Sequence, residues 1–208
     1  MLLLLNAVGA ASFNALATRT SWPVRCSLAD VGSTDGGVSI TEAGPSDYET
    51  VLNLTMSVFF GELGSDFGFN ENRRKAFGEL RDEQGDSLRT ILADETAASF
   101  IASMDETVVG FITCSGDGVL TNLAVDPSAR RRRVGQRLVQ RLLANVPSQV
   151  DLEVDWDNQA AFEFYKACGF VVIAEPDDAG ARYKVDWWRG RVKEDVFKRV
   201  MRYDADGQ

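Results

Sequence analysis

Residues 119–146 change their hydrophobic period once, at a single basic turn, and that change narrows the fold more than any other stretch of the chain. Residues 119–125 read as a strand, which Asp126-Pro127-Ser128 ends. Four arginines, Arg130 to Arg133, then lead into a helix over 134–146. There Val134, Leu138, Val139, Leu142, Leu143 and Val146 share one stripe, opposite Gln136, Arg137, Gln140 and Arg141. The first amides of a helix have no intrahelical partner, and the helix dipole adds partial positive charge there. Such an end binds phosphate, and flanking guanidiniums strengthen it through charge-assisted contacts. Gly135 permits close backbone approach. An isolated basic run is more often a solvated face or a localisation signal. Its place between strand and helix, in a chain of net charge −9, favours the phosphate site.

The same charge balance argues against a nucleic-acid-binding or membrane-coating surface and favours cationic substrates. The 208 residues suit one domain with excess length at an end, and 45% hydrophobic against 25% charged residues allows a packed core. Histidine is absent, so any general acid or base must be Tyr, Cys, Lys or a carboxylate. Cys26, Cys114 and Cys168 are too scattered for a disulfide framework or a zinc site, which points to a reduced compartment and to no metal.

Residues 1–37 do not read as fold. The opening M-L-L-L-L-N-A-V-G-A-A-S is too short to span a bilayer and resembles the apolar region of a signal sequence, with small residues near Ala10 to Ser12 suited to cleavage. Residues 13–28 are rich in Ser, Thr and Ala, carry Arg19 and Arg25 and lack acids, like a plastid or mitochondrial transit peptide. Together they resemble the bipartite presequence of algae with secondary plastids. A disordered N-terminus and a plain secretory signal are the alternatives. Plastid import is the expectation, against mitochondrion, secretory pathway or cytoplasm, with no membrane association of the mature form. Residues 31–37 serve as linker, leaving a domain over 38–204.

Within that domain a strand over 38–41 meets Gly44-Pro45-Ser46-Asp47, which stops it and can cap a helix over 48–60. A second helical region spans 70–92, weakened by Gly78 and Gly85 and therefore open to being two helices. Strands over 99–104 and 107–114 flank Asp105-Glu106, a hairpin signature. In a strand over 150–156, Leu152, Val154 and Trp156 alternate with Asp151, Glu153 and Asp155. Asp157 can cap a short helix over 158–168, closed by Gly169 as a left-handed cap with Phe170 as its anchor. Strands over 171–174 and 196–202 complete an α/β order, β-α-α-β-β-β-α-β-α-β-β.

Two blocks carry a resemblance to the GNAT superfamily of N-acetyltransferases. Val125-Asp126-Pro127 resembles the family's V-x-P strand end, and R-R-R-R-V-G from Arg130 to Gly135 resembles its pyrophosphate loop, R/Q-x-x-G-x-G/A. Arg133 stands where the middle glycine is expected. If that position needs φ > 0 the substitution is costly; otherwise the arginine keeps a right-handed conformation and adds a phosphate contact. The second block runs from Leu152 to Phe170 and resembles a strand followed by N-x-x-A-x-x-x-Y and G-F, matched at Asn158, Ala161, Tyr165, Gly169 and Phe170.

The resemblance implies a single GNAT-like α/β domain, with a mixed, mostly antiparallel six- to seven-stranded sheet flanked by about four helices. It implies an acyltransferase that moves an acetyl group from acetyl-CoA, as cosubstrate, to a primary amine by direct attack in a ternary complex. Leu123, Ala124 and Val125 would pair through their backbone with the pantetheine arm. Arg130, Arg131, Arg132, Arg133, Val134, Gly135 and Gln136 would hold the pyrophosphate. Asn158, Gln159 and Ala160 would also line the coenzyme. Tyr165 would lie beside the sulfur as general acid, since a phenol of pKa about 10 stays protonated while a leaving thiolate (about 8.5) needs a proton. Packing beside Ala161 and Cys168 is the plainer role for Tyr165. Cys168 invites an acetyl-cysteine intermediate, and a small buried residue before a helix cap is the simpler reading.

The general base is not legible. The family often carries an acid on the strand before the loop, where Thr121 and Asn122 stand; Glu153 and Asp155 are candidates, with solvated carboxylates the default. A site without a strong base suits an α-amine (about 7.7–8.0) better than a lysine (about 10.4), or relies on a water chain. Protein N-terminal amines, lysines or both are the favoured acceptors. A polyamine or small-molecule acceptor, or a non-catalytic acetyl-CoA-binding regulatory module, are the alternatives. An insertion over 176–195 holds Tyr183, Trp187 and Trp188 and would border the acceptor groove; its W-W-R-G-R run resembles plastid and cyanobacterial members. Aromatics covering the sheet edge are the alternative there.

Overall fold

The computed structural model describes residues 37–65, 71–146, 149–175, 183–185 and 195–205. The expected presequence over 1–36 lies outside the described residues, as does most of the insertion, with Trp187 and Trp188.

Strands β1 (Val38–Glu42), β2 (Ala98–Met104), β3 (Thr107–Cys114) and β4 (Leu120–Val125) form one antiparallel sheet in that order. Asp105 and Glu106 both take positive φ, 48° and 64°, so the β2–β3 hairpin closes through a two-residue turn whose twist matches its strands. A second sheet holds β5 (Gln149–Asp155), β8 (Asp195–Asp204) and β6 (Val171–Ala174), with β8 central. A short strand, β7 (Tyr183–Val185), pairs with the start of β8 and was not expected from the sequence. The fold is the α/β architecture expected, but its sheet is parted into two leaves. β4 and β5 touch at one parallel bridge, Val119 with Asp151, where the Asp151 N–H donates to Gly118 O at 2.9 Å. Beyond it no ladder joins β4 to β5 among the described residues.

The cause of the parting lies in β4. Thr113 pairs with Asn122 and Cys114 with Leu120, which leaves Thr121 as an extra residue. Such a bulge bends and twists its strand. β4 therefore stays on β3 on both sides of the bulge and, among the described residues, leaves its other edge unpaired along Leu123–Val125.

Helices α1 (Tyr48–Ser65) and α2 (Glu71–Ala93) cover one face of the first sheet, packing Val51, Leu52, Phe59, Leu80 and Leu88 on Ile101, Phe111 and Ala124. α1 runs past the expected end at Phe60, with no proline to stop it. α2 is one helix, because Gly85 makes room for a neighbour: a Cβ there would lie 2.6 Å from the Tyr48 hydroxyl. That hydroxyl accepts from Arg89 Nη2 at 2.9 Å while the guanidinium stacks on the Tyr48 ring. The glycine thus ties α2 to the start of α1 rather than breaking it.

On the opposite face lie α3 (Val134–Leu143) and α4 (Gln159–Ala167). Val134, Leu138, Val139 and Leu142 are at most 1% exposed, and burial of each stabilises by about 1.5–3 kcal/mol. α3 stops at Leu143, short of the expected Val146, because the Asn145 side chain donates to Arg141 O at 2.7 Å. Trp156 is a further correction. β5 ends at Asp155, and Trp156 is 50% exposed beside the Arg199 guanidinium, while Leu152 and Val154 are buried in the core as expected.

Candidate active site

The end of β4, the start of α3 and the middle of α4 meet in the candidate site. The Asp126 N–H donates to Val109 O at 2.8 Å, pinning the strand end, and residues Pro127–Ala129 make one 3-10 turn. Gly110 then lets α3 seat on the sheet: a Cβ there would lie 3.0 Å from Ala124 O and 3.2 Å from the Val134 side chain. A glycine inside an otherwise β-rich run signals such an approach, and it was the available clue to this contact.

Arg130 is extended, whereas Arg131 and Arg133 are left-handed, at φ 64° and 60°. Arg133 is the residue before α3, with ψ 14°, and makes no side-chain cap. Of the two conformations open to Arg133, the costly one therefore holds: the loop does need φ > 0 there, and arginine supplies it under strain of about 1–2 kcal/mol. The first helical bond is Arg137 N–H to Arg133 O at 3.0 Å. The amides of Val134, Gly135 and Gln136 find no acceptor among the described residues. Arg131, Arg132 and Arg133 are exposed and Arg130 is half-buried. Arg132 Nη1 lies 3.9 Å from Met104 Sδ.

Gly135 faces Phe164 and Val125, 3.4 and 3.6 Å from where its Cβ would stand. Those are ordinary contacts, so the helix start, the end of β4 and the middle of α4 are already in touch. Asn158 precedes α4, and its side-chain oxygen accepts from the Ala161 N–H at 3.1 Å. The cap expected of Asp157 thus falls to Asn158, one residue on. Gln159 is exposed and donates to Glu163 at 2.8 Å, and Ala160 is half-buried. Gly169 takes φ 94°, and the Phe170 N–H donates to Tyr165 O at 3.0 Å, closing the helix as expected.

Tyr165 is fully buried, packed edge-on against Phe164 and Phe170 at centroid distances of 5.1 and 5.5 Å. Its hydroxyl has no hydrogen-bond partner among the described residues, an uncommon state for a buried phenol. Burial, and then the neighbouring Cys168, push its pKa well above the usual 10, so it holds its proton throughout the neutral range. Burial also pushes the Cys168 thiol up to about 11, which removes the thiolate that an acetyl-cysteine route requires.

The carboxylates of β5 are engaged. Asp151 accepts from Arg202 through both oxygens, each at 2.7 Å, and Glu153 pairs with Lys198 at 2.6 Å. Asp155 is not free either. Among the described residues no group of His, Cys, Asp or Glu could hold a metal, and no helix is long and apolar enough to cross a membrane.

Residues 65–170 match the model of the acetyltransferase (GNAT) family. The chain belongs to that family, and it is an acetyl-CoA-dependent acyltransferase. Solved structures share its fold. The ribosomal-protein-S18-alanine N-acetyltransferase of Escherichia coli is 16% identical with a TM-score of 0.54, over 81% of this chain and 94% of that one. A GCN5-related N-acetyltransferase of Rhodopseudomonas palustris is 18% identical with a TM-score of 0.57, over 80% and 94%. The PaiA N-acetyltransferase of Thermoplasma acidophilum, solved with coenzyme A, is 17% identical with a TM-score of 0.54, over 80% and 98%. Comparison with curated protein sequences finds no match.

Proposed function

We propose that this acetyltransferase acts on protein or peptide amines, N-terminal α-amines and lysines, with acetyl-CoA seated in the parting between β4 and β5. The supporting observation is the junction itself: amides at the start of α3 and an edge of β4 that are unpartnered among the described residues lie beside four arginines, and α4, which carries an unpartnered buried phenol, touches them through Phe164. Val134, Gly135 and Gln136 offer amides to a pyrophosphate, and Arg130 to Arg133 add charge. Leu123, Ala124 and Val125 offer the open edge of β4 to an amide-bearing chain, as strand addition does. Asn158 serves by holding α4 in place, and Gln159 and Ala160 at the helix start would also line the coenzyme.

The cosubstrate supplies an activated acetyl thioester, and the residues do the rest. Tyr165 donates its proton to the departing sulfur; a phenol whose ionisation is opposed by burial remains a loaded acid at neutral pH. The engaged carboxylates of β5 leave direct attack by an already neutral amine as the route that these residues support. Mass spectrometry of a peptide library incubated with the protein and acetyl-CoA tests this reading. Acetylated α-amines or lysines are expected, and acetylation confined to polyamines or metabolites would overturn the choice of acceptor.

Residues 1–37 are, on the same footing, a plastid-directing presequence, and the chain a plastid- or cyanobacterial-type member. Support comes from the apolar leader followed by the basic Ser/Thr segment, and from the W-W-R-G-R run. A fluorescent fusion of residues 1–37 should enter the organelle, and one that stays in the cytosol refutes it.

A further inference from the structure

Where β4 leaves β5, a chain of hydrogen bonds runs in one direction. Asn122 Nδ2 donates to Thr113 Oγ1 at 3.0 Å and, at 3.4 Å, to Thr121 Oγ1. Thr121 Oγ1 donates to Thr113 O at 3.2 Å. The two hydroxyl oxygens lie 2.8 Å apart, and with the Thr121 proton on that carbonyl the proton between them is that of Thr113. Every hydroxyl proton is then used, and the chain ends on a backbone carbonyl. That polarity orients the amide: Asn122 turns its NH₂ to the threonines, and its Oδ1 accepts nothing from the described residues. Asn122 is 8% exposed, so a fixed, acceptor-only oxygen lies almost buried at the first residue past the β4 bulge.

Its position is specific. Asn122 shares a strand face with Ala124, which packs under α1 and α2, while Leu123 faces the cluster that holds Tyr165. Beside the slot between β4 and β5, the unpartnered phenol therefore belongs to the core on one face of the sheet and the unpartnered carbonyl to the other face. Among the described residues, the buried polar groups on this side of the first sheet are neutral: Ser99 and Thr113 from β2 and β3, Thr55 from α1 and Gln84 from α2. Across the slot, β5 brings Asp151 paired with Arg202, Glu153 paired with Lys198, and Asp155, also engaged.

We propose that Asn122 receives the acceptor: its Oδ1 takes an N–H of the neutral amine and turns the nitrogen lone pair toward the thioester. This rests on the transferase reading above and names its acceptor class, amines largely deprotonated near neutral pH, α-amines before lysines. An amide oxygen orients an amine but cannot take its proton. The C–N bond forms, the C–S bond breaks, Tyr165 gives its proton to sulfur, the extra nitrogen proton leaves to solvent, and solvent restores Tyr165. Asn122 is thus a positioning residue that selects a protonation state.

The test uses a glycine-led peptide and an Nα-blocked lysine peptide. The acid limb of kcat/KM should bend near each amine's own pKa, about 2.5 units apart, giving a preference for the glycine-led peptide of several hundredfold at pH 7 that shrinks as pH rises toward 10.5. Coincident limbs would assign the step to an enzyme base and overturn the proposal. Calorimetry gives a readout without turnover, by titrating the glycine-led peptide into protein saturated with coenzyme A. Wild-type affinity should fall as pH drops below the amine pKa, and Asn122→Leu should weaken it about tenfold. Asn122→Asp, of equal size, should reverse the trend, because a carboxylate prefers the ammonium form. Equal affinity in Asn122→Leu, or the wild-type trend in Asn122→Asp, would contradict the assignment. A peptide library without acetylated product removes the transferase reading itself; acetylation with coincident limbs removes only the role of Asn122.

Discussion

Arg133 offers a separation of strain from charge. Its φ of 60° and ψ of 14° lie in the left-handed region, where a side chain with a Cβ is disfavoured by about 1–2 kcal/mol. Arg133→Gly relieves that strain and also frees the unfolded chain, which offsets roughly 0.5–1 kcal/mol. Arg133→Ala keeps a Cβ in the same conformation and removes the same guanidinium. The side chain is exposed and makes no cap, so neither change opens a cavity. Arg133→Gly should therefore be more stable than Arg133→Ala by about 0.5–1 kcal/mol, or about 1–4 °C in Tm for a chain of this size. Urea denaturation of both variants, with thermal melts alongside, reads the difference. Both should lose acetyl-CoA affinity to a similar degree at low salt and converge on the wild type as salt screens the charge. Equal stability of the two variants would refute the strain argument. A larger affinity loss for glycine than for alanine would show that the loop needs the stiffness of a side chain rather than its charge.

Three further outcomes are expected. Tyr165→Phe should lower kcat about 10²- to 10⁴-fold with acetyl-CoA affinity kept, and should raise stability by about 1 kcal/mol, since the lost hydroxyl is buried without a partner. Unchanged turnover would exclude it as the acid. Gly85→Ala should destabilise by about 1–3 kcal/mol despite alanine's better helix propensity, and the loss should largely vanish in a Tyr48→Phe background, where the atom 2.6 Å from the new Cβ is gone. Additive effects in that double-mutant cycle would contradict the packing argument. Burial, and then Asp117, push the Cys114 thiol up to about 12 from an ordinary value of 9.0. Its contribution is complete below pH 9 and is lost as pH rises toward 12, by about 1.4 kcal/mol per unit. Alkaline denaturation of Cys114→Ala should accordingly show a shallower decline.

The helices were the most legible part of the chain, because their cause is local. The stripe of Val134, Leu138, Val139 and Leu142 defines α3 before any neighbour is known, and Gly169 announces the end of α4 through its left-handed φ. What escaped was set by partners distant in sequence. Residues 119–125 read as an even strand, and the extra residue at Thr121 shows only once β3 supplies the register. Gly85 looked like a break until Tyr48 was placed against it. Trp156 continued the alternation of β5, yet the strand had ended and the indole lies half-exposed under the Arg199 guanidinium. For the site, the arginine loop and Tyr165 stand in the sequence, whereas Asn122 owes its orientation to a threonine nine positions away on the adjacent strand. The Lys198 that pairs with Glu153 comes from the last strand, so that engagement could not be read from residue type.

Coenzyme binding at the start of α3 underlies every functional step above, and a double charge reversal tests it most directly. Arg131 and Arg132 are exposed, and glutamate at position 131 meets the same φ of 64° that arginine already tolerates, so the fold should survive. Calorimetric titration of acetyl-CoA into Arg131→Glu/Arg132→Glu at low ionic strength should show affinity reduced about 10²-fold, about 1.4 kcal/mol for each arginine, with an unchanged melting temperature. Wild-type affinity in that variant would place the coenzyme elsewhere and contradict the account.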